Sequence, residues 1–291
     1  MPELAEVEFY RRRWWAAGAR QTVNAAEANS RSRVYRSLAR EFPGGVRVLA
    51  KTLTGAKLAD SATHGKQMWF VFKTPHQTKQ FLWLGVHLGM TGSMHAEPVD
   101  YLAQKHDALI LSLARRTLVF NDPRQFGRVR AWRGPMGERP PWLQNLPNEI
   151  LSRGFTAEFV SKVLQRHARA PLKAVLLNQK YFPGIGNWMA DEILWRAALH
   201  PALPSGRAAD LPTAKKLHAA IQKVAHDALC VIAGVGGKLP PDLNVHIPDT
   251  WLFNHRWEDG GLCPKTKKPL RRAEIGGRTT CWSPARQKLL N

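Results

Sequence analysis

Cysteine is scarce in this 291-residue chain, which contains only Cys230, Cys263 and Cys281. An odd, thinly spread set of thiols cannot staple a small secreted scaffold, and it suits a reducing cytosol. No apolar run reaches the roughly 18 residues that a membrane helix needs, and no signal peptide opens the sequence, so a spanning protein and an exported one are both disfavoured. Acidic residues are few as well: 22 Asp plus Glu face 43 Lys plus Arg, a formal net charge of +21. A globular chain carries that excess only if a polyanion or an anionic surface offsets the self-repulsion. The basic residues are spread along the sequence instead of forming one amphipathic tail, which makes nucleic acid the expected partner over a membrane surface. Phosphate contacts give salt-dependent affinity and no chemistry, so charge does not distinguish a binder from an enzyme. Apolar residues are plentiful, at 44% with 11 tryptophans. That excludes disorder and is enough for two domains with separate cores. There is no internal repeat or low-complexity tract.

The stretch Lys180-Tyr-Phe-Pro-Gly-Ile-Gly-Asn-Trp-Met-Ala-Asp-Glu-Ile193 reads as a glycine turn feeding a helix. Gly184 and Gly186 remove side chains that would keep an anion off the backbone, Asn187 stands where a helix begins, and Met189, Ile193 and Leu194 recur on one face. Such a helix start leaves outward N–H groups that can hold a phosphate. A plain corner between two helices fits the local sequence equally well.

Elsewhere the pattern divides the chain. Leu4, Val7 and Trp14 keep helical spacing, with acids early and arginines late, so a helix is expected from near Glu3. Short β runs follow at Val46–Leu53, Gln67–Lys73, Gln80–Leu88, Ala108–Leu113 and Thr117–Asn121, which suggests an antiparallel sandwich or barrel. Gly134-Pro-Met-Gly-Glu-Arg-Pro-Pro141 breaks any continuing element. Helical periodicity returns at Thr156–Gln165, Pro171–Leu177, the Asn187 helix and Pro212–Ile232. The Pro-rich tail from Leu239 reads as a β-hairpin with basic residues at its tip. The expected divisions are 1–133, a linker at 134–145, a helical domain at 146–238 and a hairpin at 239–291.

Met-Pro-Glu-Leu-x-Glu-Val-Glu at the start, His87-Leu-Gly-Met-Thr-Gly92, Asn121-Asp-Pro-Arg-Gln-Phe-Gly127, the Gly184-Ile-Gly-Asn helix start and Gly276-Gly-Arg-Thr-Thr280 occur in this order. Together they resemble the formamidopyrimidine-DNA glycosylase and endonuclease VIII family over nearly the whole chain. The resemblance implies an α+β fold: an amino-terminal helix with a two-layer antiparallel β-sandwich, a helix-two-turn-helix domain and a carboxy-terminal finger, with DNA between the lobes. It also implies a bifunctional glycosylase and abasic-site lyase of base excision repair. Such a protein is a cytoplasmic, nucleoid-associated monomer without a cofactor, acting on double-stranded DNA that carries damaged bases or abasic sites. A catalytically silent damaged-DNA binder is the alternative.

In that family the initiator Met is removed and Pro2 becomes the nucleophile. A free α-amine titrates near pH 8, against about 10.4 for lysine, so part of it is neutral at cell pH. Glu3 would move protons at the sugar or the departing base, and Glu6, one helical turn on, would orient Glu3 or the Pro2 amine; otherwise both acids simply favour the helix start. Lys66 matches the family's strand lysine at a DNA phosphate. Met90, Arg124 and Phe126 match the three side chains that enter the duplex and offset the cost of flipping a base, where Met90 and Phe126 would otherwise count as core. Asn187 and Lys173 match phosphate or backbone contacts, and Arg278 matches the finger arginine. The family's finger carries Cys-x2-Cys, sixteen residues, Cys-x2-Cys. Here those positions fall on Cys263, Thr266, Ser283 and Arg286, so no structural zinc is expected, and Trp251, Phe253, Trp257 and Trp282 are available to pack the hairpin. Position 5 is Ala where the family usually has Pro. The lesion expected is a formamidopyrimidine or 8-oxoguanine.

Overall fold

The computed structural model describes residues 2–75, 80–135 and 137–289. They form two compact units, one of Pro2 with the described residues of 6–146 and one of Glu3–Ala5 with the described residues from Pro147 on.

The first unit contains most of α1 (Leu4–Gly18), then β1 (Ala25–Ala28), α2 (Leu38–Glu41), α3 (Gly45–Leu53), β2 (Lys57–His64), β3 (Gln67–Lys73), β4 (Phe81–His87), β5 (Ser93–Glu97), β6 (Asp107–Ser112), β7 (Thr117–Asn121) and β8 (Arg128–Gly134). The strands make two four-stranded antiparallel sheets, β1-β6-β7-β5 and β2-β3-β4-β8. Alternation fixes the register: Met68, Phe70 and Phe72 of β3 and Leu82, Leu84 and Val86 of β4 are buried on one face. Trp14 of α1 lies 5.0 Å from Phe70. A Cβ on Gly18 would meet Leu58, Leu113 and Leu118, so the end of α1 reaches side chains from both sheets.

Residues 46–53, expected as a strand, are helical. Val46 and Val48 suggested a β run, but Leu49 and Leu53 stand one turn apart and are fully buried, and that spacing prevails over β-branching. Four strands went unread: β1, β2, β5 and β8. Their polar outer residues, as in Lys-Leu-Ala-Asp-Ser-Ala-Thr-His of β2, dilute the hydrophobic signal. After the Pro/Gly stretch, Leu143 packs on Val71 and Trp83, which keeps these residues with the first unit.

The second unit is built from α4 (Ala157–Arg166), α5 (Leu172–Leu176), α6 (Asn187–Arg196), α7 (Leu211–Val231) and the hairpin β9 (Arg271–Ile275)–β10 (Arg278–Trp282). Thr156 caps α4 as expected, its hydroxyl accepting from Phe159 N at 3.2 Å, and Asp210 caps α7 from Thr213 N at 2.9 Å. Residues 188–195 of α6 are all buried, so this is a core helix with elements on every side. Gly276 and Gly277, with φ of 63° and 74°, make the two-residue hairpin turn. No described helix is long and apolar enough to cross a membrane.

Candidate active site

The glycine turn before α6 behaves differently from the expectation of a free phosphate cradle. Gly184 takes φ of 94°, a left-handed conformation suited to glycine. Its carbonyl accepts from Leu4 N at 3.0 Å, which draws in the beginning of the chain. The Glu3 carboxylate then occupies the helix start, accepting from Gly186 N at 2.8 Å, Trp188 N at 3.0 Å and Met189 N at 3.1 Å. Three donors and the positive end of α6 stabilise its charged form. A Cβ on Gly186 would come within 2.3 Å of the Glu3 Cδ, so this glycine makes room for a protein carboxylate where the sequence suggested an incoming phosphate.

One turn into α6 lies a buried ionic cluster. Asp191 is contacted by the Lys173 ammonium, by Arg256 Nε at 3.1 Å and Nη2 at 2.5 Å, and by Cys281 N of β10 at 3.1 Å. Lys173, expected at a phosphate or backbone contact with DNA, has no exposed side-chain surface, and its Nζ also donates to Asn187 O at 2.6 Å. Burial pushes its ammonium below the ordinary lysine range despite Asp191 alongside. Lys173 is therefore an internal counter-ion, a correction to the expected contact. Asn187 Nδ2 donates to Thr279 O at 2.9 Å, while its Oδ1 is buried without a hydrogen-bond partner. This bond seats the hairpin, at whose tip Arg278 is exposed with no side-chain partner among the described residues. The second unit thus groups Glu3, Asn187 and the Arg278 hairpin around the start of α6.

The finger positions do not suit zinc. Cys263 is buried among Trp195, Leu252, Leu270 and Cys281 and accepts from Trp195 Nε1 at 3.4 Å. Burial alone would raise its pKa, but hydrogen bonding, chiefly from Thr266 and Ser283 with Trp195 adding to it, brings it down to about 7. The Ser283 hydroxyl is itself buried and makes no hydrogen bond to another acceptor. Arg286 lies over the Trp195 ring at 5.3 Å and donates to Trp195 O at 3.3 Å. One thiol, two hydroxyls and a guanidinium are not a tetrahedral zinc set, and no group of three or more His, Cys, Asp or Glu placed to hold a metal ion occurs among the described residues. Of the aromatic residues expected to pack the hairpin, Trp251 and Phe253 pack instead on Trp188 of α6, at 6.4 and 5.1 Å, and Phe253 lies 5.2 Å from Trp257, while Trp282 of β10 packs on His200 at 5.4 Å.

In the first unit, two loops converge. Gly89, at φ of 64°, approaches so closely that a Cβ would lie 2.5 Å from Phe126 C and Gly127 N. Buried Asp122 ties the pair, accepting from Gly127 N at 2.7 Å and from Thr91 Oγ1 at 3.2 Å. Met90 and Phe126 are consequently presented outward, 36% and 50% exposed, and not in the core. The Arg124 guanidinium lies 4.9 Å from the Phe126 ring centroid. The three expected wedge residues therefore share one exposed site.

Lys66 stands in the tight turn between β2 and β3, not within a strand, and is buried. It lies near His87, whose pKa is lowered by burial first and then by Lys66, Arg128 and Arg36. Gly89 N donates to His87 Nδ1 at 3.1 Å, so the neutral ring carries its proton on Nε2. Pro2 is half-buried just ahead of α1, and Glu6 is buried on it. Sequence reasoning missed Asp122, Asp191, Arg256 and His87 as site-building residues. His87, Asp122 and Asp191 fell inside quoted stretches without being assigned a role, and Arg256 carried no local signal.

Residues 1–129 match the family model for the formamidopyrimidine-DNA glycosylase N-terminal domain, and residues 146–236 match that for the formamidopyrimidine-DNA glycosylase H2TH domain. The formamidopyrimidine-DNA glycosylase of Thermus thermophilus is 33% identical over 293 residues, covering 99% of this chain and 98% of its own. That of Aromatoleum aromaticum is 30% identical over 292 residues, covering 99% and 100%. A solved structure of Lactococcus lactis formamidopyrimidine-DNA glycosylase bound to DNA containing an AP site has the same fold, with a TM-score of 0.75 and 24% identity over 98% of this chain and 99% of that one. Similarity at this level from end to end, across both family models, shows that the chain belongs to the formamidopyrimidine-DNA glycosylase family, a family of DNA-repair glycosylases.

Proposed function

We propose that this chain excises oxidised bases from double-stranded DNA and cleaves the abasic strand, with the Pro2 nitrogen as nucleophile. The observation that supports it most is the Glu3 carboxylate, held by three backbone N–H groups at 2.8–3.1 Å. The residue after the nucleophile is thereby fixed in place by a buried helix start, which is the positioning that covalent catalysis requires.

Once Met1 is removed, the secondary amine attacks C1′ of the flipped nucleotide and the C1′–N bond breaks, the base leaving with a proton. Opening of the sugar, with protonation of its ring oxygen, gives a cationic imine on Pro2. Loss of a C2′ proton expels the 3′ phosphate, a second elimination expels the 5′ phosphate, and water releases Pro2. Glu3 is the proton carrier nearest in the chain, and its negative charge stabilises the cationic imine. Glu6 supports this end of α1. Met90, Arg124 and Phe126 fill the space left by the extruded base. Lys66, Asn187 and Arg278 contribute phosphate contacts, and Lys173 does not. The substrate class is ring-opened formamidopyrimidine or 8-oxoguanine, in keeping with the name of the relatives.

Borohydride trapping on an abasic duplex tests this. Correctly processed protein should become covalently linked to DNA, while a form with one residue left before Pro2 should bind and never crosslink. DNA binding without any adduct from the processed chain would leave only the silent-binder reading.

A further inference from the structure

The outer face of β3-β4-β8 has an unusual surface for a sandwich. Gln67, His87 and Arg128 form one cross-strand row and Trp69, Gly85 and Arg130 the next, whereas the intervening row of Met68, Val86 and Val129 is buried. Half of this outer face is covered by the segment after β8: a Cβ on Gly85 would lie 3.1 Å from Trp142 Nε1, so the indole rests on bare strand. The Arg130 guanidinium stacks over that ring at 4.7 Å and is neutralised by Glu41 at 2.7 Å. The other half stays open as a cavity of about 300 Å³, bordered by Arg36, His87, Phe126, Arg128 and Trp142. That volume is at the lower end of small-ligand sites, about 300–1,000 Å³.

Its charge is uncompensated. The Arg36 guanidinium donates only to the carbonyls of Gly127 at 3.0 Å and Arg33 at 3.3 Å, and the Arg128 guanidinium has no hydrogen bond or ion pair among the described residues. Two guanidiniums without a carboxylate, an imidazole able to donate through Nε2, and two aromatic rings form a site for an anion attached to a flat apolar body. A nucleotide has that chemistry, and basic residues interleaved with aromatic ones are the pattern that holds single strands. Phe126 borders the cavity and also belongs to the exposed wedge. We propose that this face is a docking site for an unpaired segment of DNA, taking the strand that the wedge unstacks, with phosphate on Arg36 and Arg128 and a base or sugar against Phe126 and Trp142.

The proposal rests on the DNA-opening reading of the wedge, but its test does not depend on catalysis. Binding of a fluorescent twelve-residue oligothymidylate is followed by anisotropy over a salt series for wild type, Arg128→Gln, Trp142→Phe, Trp142→Ala and the control Arg115→Gln on the β6–β7 turn. Arg128→Gln should weaken binding roughly five- to tenfold and lower the salt slope by about 0.7. Trp142→Ala should weaken it while Trp142→Phe retains it, and Arg115→Gln should change neither value. Borohydride trapping of an abasic duplex at saturating enzyme should be unaltered in Arg128→Gln. If Arg128→Gln matches Arg115→Gln on the oligonucleotide, or if free thymidine monophosphate displaces it at equal phosphate concentration, the single-strand site is refuted. Loss of trapping in every protein, with these binding differences intact, would refute the enzymatic reading alone.

Discussion

Replacing Asp191 by asparagine keeps the shape of α6 and removes one charge. In the folded protein that charge lies between Lys173, with no exposed surface, and Arg256, 5% exposed, and it also receives the Cys281 amide from the hairpin. The asparagine would present an NH2 group to at least one of these donors and leave two cations buried without an anion. Breaking a buried ion pair from one side costs about 3–5 kcal/mol, a large part of the roughly 5–15 kcal/mol that holds a native protein folded. Lys173→Met gives the opposite balance, leaving Asp191 and Arg256 one to one and relieving the desolvation that already depresses Lys173. It should cost no more than about 1.5 kcal/mol. Urea titration of both variants, with hydrogen exchange read at the Cys281 amide, separates the cases. Asp191→Asn should lose the larger amount and exchange that amide faster by two orders of magnitude or more, for about 3 kcal/mol of local opening. Equal losses in the two variants, or less than about 1 kcal/mol in Asp191→Asn, would refute the assignment of Asp191 as the anion that holds the finger in place of metal. In Lys173→Met the salt slope of duplex binding should stay at its wild-type value, since a buried cation releases no counterion.

Gly186→Ala should cut borohydride-trapped adduct at least tenfold, to the level of Glu3→Gln, because its Cβ takes the space 2.3 Å from Glu3 Cδ; trapping at the wild-type rate would show that the carboxylate position is unimportant. Asp122→Ala frees both wedge loops and should slow base excision far more than lyase action on a pre-formed abasic site, where no base has to be flipped; single-turnover rates on the two duplexes compare them. Cys263 sets a pH dependence. Its folded pKa of about 7 lies below the ordinary 9.0, so the thiolate contributes stability that is full above pH 9 and lost as pH falls through 7. The melting-temperature gap between wild type and Cys263→Ser should therefore shrink from pH 9 to pH 6, and a gap that widens would refute the hydrogen-bonded thiolate. Thr266→Cys, Ser283→Cys and Arg286→Cys together should create a zinc site, read as one bound zinc per chain and a stability newly sensitive to chelator; failure to bind would mean that the two turns do not converge as a knuckle.

How much could be read from sequence follows the range of the interactions involved. The β7 strand was legible because Thr-Leu-Val-Phe-Asn is a short β-branched and aromatic run whose first four residues are all buried, and Thr156 was legible as a cap because its partner, Phe159 N, is three residues away. Met90, Arg124 and Phe126 were grouped through the resemblance of their motifs. What placed them together physically is the absence of a Cβ at Gly89 against Phe126, a contact between residues 37 apart that no local pattern encodes. The misreadings have the same origin. Residues 46–53 have β-favouring composition, and only burial of Leu49 and Leu53 against the rest of the unit makes them a helix. Gly-Ile-Gly-Asn was legible as a helix start, but the anion that fills it is Glu3, 183 residues from Gly186 in the chain. Lys173 looked like a surface cation because lysine is rarely buried unless paired, and its partner Asp191 is 18 residues away on another helix. In the finger, the missing cysteines could be counted directly, while their replacement could not. Asn187, Asp191 and Trp195 recur every fourth residue along α6 and bind Thr279, Cys281 and Cys263 in turn. A helix face whose spacing is regular and whose polar atoms reach two residues of the hairpin and the thiol of Cys263 before it ties the finger together locally, as a metal ion does in a knuckle, and that role became readable only once the partners were placed.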